Sequence, residues 1–263
     1  MTADDEIPGF AARMEQMRNA GVTPQRQEMR RLADAMRLVI ERLVATRAPE
    51  DELARAAEAL EGIAASLDGY PQGHTFEGFA VGLETARRSS DDHDHVSEAS
   101  LIGGIGTSSR RSETEPANGD PHAFFDHSPI IGRANPLAPP LDLAVLDDKV
   151  VGRARFGSAY EGPPGAVHGG YVAAAFDELL GMAQSLGGKP GMTGTLTIRY
   201  RRPHPLHTEI RFEGELVRVE GRKIFTTGRS YADGELRAEA EGIFISVDFS
   251  KIAELMARRD PSS

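Results

Sequence analysis

Cysteine is absent from the 263 residues, and so is tryptophan. The first absence removes disulfides, thiolate zinc sites and a cysteine nucleophile together. Aromatic residues make up only 6% of the chain. No apolar run exceeds Tyr171–Phe176, far short of the roughly 20 residues that span a bilayer. Basic side chains are in deficit, 30 against 40 acidic, for a net charge of −10. That balance argues against generic binding to nucleic acid or to an anionic membrane surface. The opening residues, Met1-Thr2-Ala3-Asp4-Asp5-Glu6, are acidic and lack the apolar core of a secretory leader. A soluble, cytoplasmic protein is the expectation.

The acidity is uneven. Residues 1–70 hold 9 basic and 13 acidic side chains, residues 71–123 hold 4 and 9, and residues 124–263 hold 17 and 18. That asymmetry suggests separate modules. Leu32, Met36, Val39, Ile40, Leu43 and Val44 recur at helical spacing, and Pro49-Glu50-Asp51-Glu52 opens a second helix. Leu53, Ala57, Leu60, Ile63, Ala64 and Leu67 give that helix its own stripe. Residues 1–67 therefore read as a helical extension whose stripes must pack on something, as a docking or oligomerising appendage or as a binding module. Residues 68–122 are rich in Ser, Gly, Asp and Arg and too poor in apolar residues to offset the entropy of ordering, so they read as a flexible linker. His93 and His95 with Asp92 and Asp94 offer a weak metal site there, against a plain solvated linker; no second ligand cluster stands near them in the sequence.

Residues 123–263 have the texture of a packed domain. Leu141–Leu146 and Val150–Phe156 flank a hairpin turn, and an apolar segment runs from His168 to Leu186. Strand-like runs follow at Thr193–Tyr200, Glu209–Val219, Lys223–Tyr231 and Glu235–Val247, with the Asp233-Gly234 hairpin signal before the last. Phe249–Arg259 reads as a closing helix. Strands that do not alternate with helices predict an α+β fold.

The central helix carries the chemistry. It is apolar on every face, so it is buried. Its only charges, Asp177 and Glu178, point about 100° apart, which sends one toward the surface and the other into apolar surroundings. A desolvated carboxylate is raised toward the range of a general base, although an Asp satisfied by backbone donors has the same look. At the helix start, Gly169 and Gly170 leave backbone N–H groups open to a ligand oxygen, the makeup of an oxyanion hole for acyl transfer. Gly169 and Asp177 stand eight residues apart, about 12 Å along a helix, too far to hold and attack one carbonyl carbon. Two antiparallel copies of the helix in a symmetric dimer would bring them together.

Val167-His168-Gly169-Gly170 with Asp177 nine positions after the histidine resembles the hotdog-fold acyl-CoA thioesterases of the phenylacetate-pathway (PaaI) and human THEM type. The resemblance covers roughly residues 125–248, including Asn135-Pro136-Leu137 and Tyr200-Arg201-Arg202-Pro203. It implies a six-stranded antiparallel sheet wrapped around one helix, a homodimer or dimer of dimers, and hydrolysis of acyl-CoA thioesters without a cofactor. It also implies Asp177 as general base or nucleophile, the Gly169 N–H as oxyanion donor flanked by His168 and Gly170, and Thr193 or Thr195 positioning the water. Relatives often carry Asn or Gln six residues before the histidine; here that position is Gly162, with Tyr160 and Glu161 as possible substitutes.

The phosphates of coenzyme A call for arginine forks. Arg199, Arg201, Arg202 and His204 form one basic cluster and Arg222-Lys223 another. His204 and His207 lack metal-ligand spacing with any carboxylate, so no metal is expected. No G-x-S-x-G elbow or phosphate-cradling glycine loop is present. Two rival readings remain: a hotdog hydratase or dehydratase, and a non-catalytic acyl-CoA-binding regulatory module.

Overall fold

The computed structural model describes residues 23–70, 126–139, 141–146, 148–187 and 191–246. Two helices lead, α1 (Pro24–Ala45) and α2 (Glu50–Leu67). The strands are β1 (Leu141–Leu146), β2 (Lys149–Arg155), β3 (Gly191–Tyr200), β4 (Glu209–Glu220), β5 (Lys223–Ala232) and β6 (Glu235–Ser246). A long helix, α3 (Gly169–Ser185), lies between β2 and β3. The six strands form one antiparallel sheet in the order β1-β2-β4-β5-β6-β3. With α3 packed against its inner face, this is the hotdog architecture. The hairpin between β5 and β6 turns on Asp233 and Gly234, both at positive φ (53° and 75°), the geometry an Asp-Gly turn supplies.

Burial alternates along β5 and β6. Ile224, Thr226, Gly228, Ser230 and Ala232 face inward with Ala238, Ala240, Gly242 and Phe244. The inward glycines make room for the helix. A Cβ on Gly214 would stand 2.9 Å from Leu179, and one on Gly242 would stand 3.2 Å from Leu180. Phe176 closes the core edge-to-face on Phe212, 5.4 Å between rings.

α1 attaches differently. Thr23 caps it by accepting from the Arg26 N–H, and Pro24 opens its first turn. Apart from the buried Ala33, its contacts with the domain are mainly polar. Arg26 and Arg30 pair with the fully buried Asp126, and Arg37 donates to the carbonyls of Arg133 and Asn135. Glu41 accepts from the backbone N–H groups of Ser158 and Ala159, in the 3₁₀ turn Ser158–Tyr160. Burial alone would raise the Glu41 carboxyl, but these two donors hold it below its usual range. The sequence required the apolar stripe to pack on something, the domain being one choice. Instead Leu32, Met36, Val39 and Leu43 stay exposed, because the surface α1 meets offers carbonyls and a buried aspartate that arginines satisfy better than leucines. α2 buries no residue at all. The predicted linker beyond residue 70 and the closing helix at 249–259 lie outside the described residues.

Candidate active site

The segment before α3 is fixed by backbone bonds. His168 N–H donates to the Tyr160 carbonyl at 2.8 Å, Val167 N–H to the His204 carbonyl, and Gly162 N–H to the Ala166 carbonyl. His168 then caps the helix, its Nδ1 accepting from the Gly170 N–H at 3.0 Å. The two glycine donors are thereby distinguished. Gly170 is engaged, while the Gly169 N–H meets no acceptor among the described residues and sits at the positive end of the helix. Tyr200, at the end of β3, donates its hydroxyl to the Gly169 carbonyl at 2.8 Å and so steadies this terminus. No sequence spacing ties residue 200 to residue 169. Its only sequence signal was its place in the Tyr200–Pro203 stretch.

Two turns along α3, Asp177 accepts a hydrogen bond from the Thr193 hydroxyl at 2.8 Å. A β-bulge between Thr193 and Thr195 produces this contact. Thr193 lies opposite the inward Phe244 and Thr195 opposite Ile243, so the two threonines fall on different sides of the sheet. Simple alternation would have left them together.

Desolvation falls on the neighbouring acid. Glu178 is pushed up to about 7, first by burial, then by the charge of Asp177, against a hydrogen bond donated by Ser128 at 3.3 Å. Both side chains are half-buried, and only Glu178 has Ser128 of the 126–139 segment laid against it. Of the two acids on α3, the apolar surroundings therefore belong to Glu178 within one copy of the chain, because its 100° turn carries it under the 126–139 segment.

Gly162 cannot carry the missing amide. A Cβ there would stand 2.7 Å from the His168 Cα. Neither substitute takes the role: the Tyr160 hydroxyl donates inward to the Ala138 carbonyl, and Glu161 accepts from the Gly165 N–H.

The basic residues divide. Arg199, Arg201 and Arg202 share one end of the sheet, each paired with a β6 glutamate, Glu241, Glu239 and Glu235 respectively. Arg222 and Lys223 lie near the other end. Lys223 is opposite Ile245 while Arg199 is opposite Glu239 on the same strand, a separation of about 20 Å at the strand rise. His204 leaves the cluster altogether. It is buried, bonded to Ser230 at 2.8 Å, and lowered to about 4 by burial and then by Arg237, which makes it a neutral core histidine. His93 and His95 lie outside the described residues. Among the described residues no helix is long and apolar enough to cross a membrane.

The arrangement holds one oriented carboxylate and one open backbone donor on a single helix. A thioesterase superfamily model matches residues 164–238, which span both. Acyl-coenzyme A thioesterase THEM4 of Xenopus laevis is 37% identical over 93 residues, 35% of this chain and 42% of that protein. The Bos taurus protein of that name is 38% identical over 97 residues, 36% of this chain and 40% of its own. The chain thus spans less than half the length of these curated relatives. A crystallised thioesterase superfamily protein superposes with a TM-score of 0.63 at 32% identity, covering 83% of this chain and 90% of the other.

Proposed function

This chain belongs to the thioesterase superfamily, and on that premise we propose that it hydrolyses acyl-CoA thioesters to the free acid and coenzyme A, at a site shared by two copies. Water attacks the thioester carbon as Asp177 takes its proton; the Thr193 hydroxyl fixes the carboxylate from the other side. Negative charge gathers on the carbonyl oxygen, where the Gly169 N–H of the second copy receives it. The C–S bond then breaks, and the thiolate leaves with the proton held by Asp177. Arg199, Arg201 and Arg202 supply the cations for the coenzyme phosphates by exchanging their glutamate partners.

One observation carries this: the open Gly169 N–H and the Thr193-held Asp177 occupy one rigid helix about 12 Å apart. Each half-site is therefore incomplete by itself. The test uses two disabled variants. Asp177→Asn should lower thiol release from acyl-CoA by about 10²-fold or more. Gly169→Pro deletes the one N–H while suiting a first helical position, since His168 already has the extended ψ of 129° that proline demands of its predecessor. It should cost about 10²–10³-fold. Mixed after subunit exchange, the two variants should regain about a quarter of wild-type turnover, because half of the mixed dimers' sites are intact. No recovery would place the whole site within one copy. A non-catalytic acyl-CoA-binding module is the second reading, favoured by the side-chain-free Gly162; tight binding of a CoA thioester with no thiol release would establish it.

A further inference from the structure

The N-terminal helices carry a pattern that their docking does not use. On α1, Met29, Leu32, Met36, Val39 and Leu43 follow alternating steps of three and four, and all are exposed. On α2, Leu53, Ala56, Leu60, Ile63 and Leu67 repeat those steps, again all exposed. A 3.5-residue apolar repeat is the seam of helices that wind about one another, each side chain entering a hole on a facing helix. α1 meets its own domain along a different line, through Arg26, Arg30, Ala33, Arg37 and Glu41. In proteins most helical stability comes from packing an apolar face, and α2 buries none of its residues.

Charge and geometry select the facing helix. α1 spends Arg26, Arg30, Arg37 and Glu41 on its own domain, which leaves Arg31 and Arg42 beside Glu28 and Asp34, and α2 has one arginine against five acids. Two copies of α2 would repel across a seam, whereas α1 offers α2 a face without net charge. Within one chain the pair does not meet. The connection after α1 is extended at Thr46 (ψ 152°) and again at Pro49 (ψ 161°), and α1 and α2 do not pack along one another. Together the two helices offer 40 residues, enough for the roughly 20–30 per side of a stable interface. We propose that a second copy of the chain covers these seams, with α1 of one copy facing α2 of the other, in a helical interface separate from the thioester site.

Because the chain has no cysteine, an introduced one is unique. Full-length tagged protein carrying Met36→Cys is mixed with untagged protein carrying Leu60→Cys and oxidised after subunit exchange. These positions are the midpoints of the two seams, which meet whether the helices run parallel or antiparallel. A disulfide-linked tagged–untagged product is expected. Adding Leu53→Asp and Ile63→Asp to the Leu60→Cys protein should reduce it at least about tenfold, since each buried apolar side chain contributes more than one tenfold step. Unchanged thermal unfolding of the hotdog domain controls for folding, as α2 contributes nothing to its core. A protein carrying both cysteines serves as the comparison: a disulfide that forms only within one copy of it would overturn the proposal, and so would the absence of any tagged–untagged product.

Discussion

α3 and the α1–α2 pair show two ways a helix is held. α3 buries ten of its 17 residues, whereas α1 and α2 together bury one, Ala33. The first is held by close packing in a glycine-lined trough, which places Gly169 and Asp177 rigidly. The second is held by a few charged clamps, which fix α1 on its domain without drawing its leucines out of water. Packing thus serves positional accuracy, and clamps leave an apolar seam available for something else.

The sharpest challenge to that contrast is Leu179→Ala, at the centre of the trough. It should cost about 2–5 kcal/mol in urea unfolding, and a cost near zero would mean that α3 is not held by packing. Glu178→Gln comes next. A carboxyl raised to about 7 favours the folded state fully only below its ordinary 4.5 and loses that contribution as pH rises through about 7. The variant should therefore be more stable than the parent above pH 7, by up to about 3 kcal/mol, with a flatter stability curve between these values. An unchanged pH profile would mean that the Glu178 carboxyl is not desolvated.

Glu41→Gln tests a clamp. It should loosen α1 by about 1 kcal/mol, the scale of a lost capping carboxylate, seen as faster proteolysis of the helix. In the parent the carboxyl is depressed, so docking is fully present above pH 4.5 and weakens as pH falls through the lower folded value. Leu38→Ala, exposed and on neither seam, should shift stability by no more than about 0.5 kcal/mol. A larger loss would show that α1 is packed after all.

The same contrast explains what the sequence disclosed. Local period identified α3 as buried and Asp233-Gly234 as a hairpin, since both depend on neighbours in the chain. Glycines at the helix start and an acid two turns on were visible for the same reason. The division between Gly169 and Gly170 was not, because it depends on the rotamer by which His168 turns back on the helix. Nor was the choice of Thr193 over Thr195, which a bulge decides against the alternation of the strand. Glu41 reaching residues 158 and 159, and Tyr200 reaching Gly169, join distant parts of the chain that no periodicity connects. The desolvation of Glu178 arises from the 126–139 segment laid over it, equally beyond local pattern.

The Glu41 clamp reaches further than its strength suggests. It grips the turn at 158–159, the next residue, Tyr160, receives the His168 amide, and His168 adjoins Gly169. The forward arm of the protein is thus coupled in series, like a short gear train, to the atom proposed to steady the reaction's charge. Whatever tugs on that arm, including a twin molecule grasping it, acquires a mechanical route for adjusting turnover.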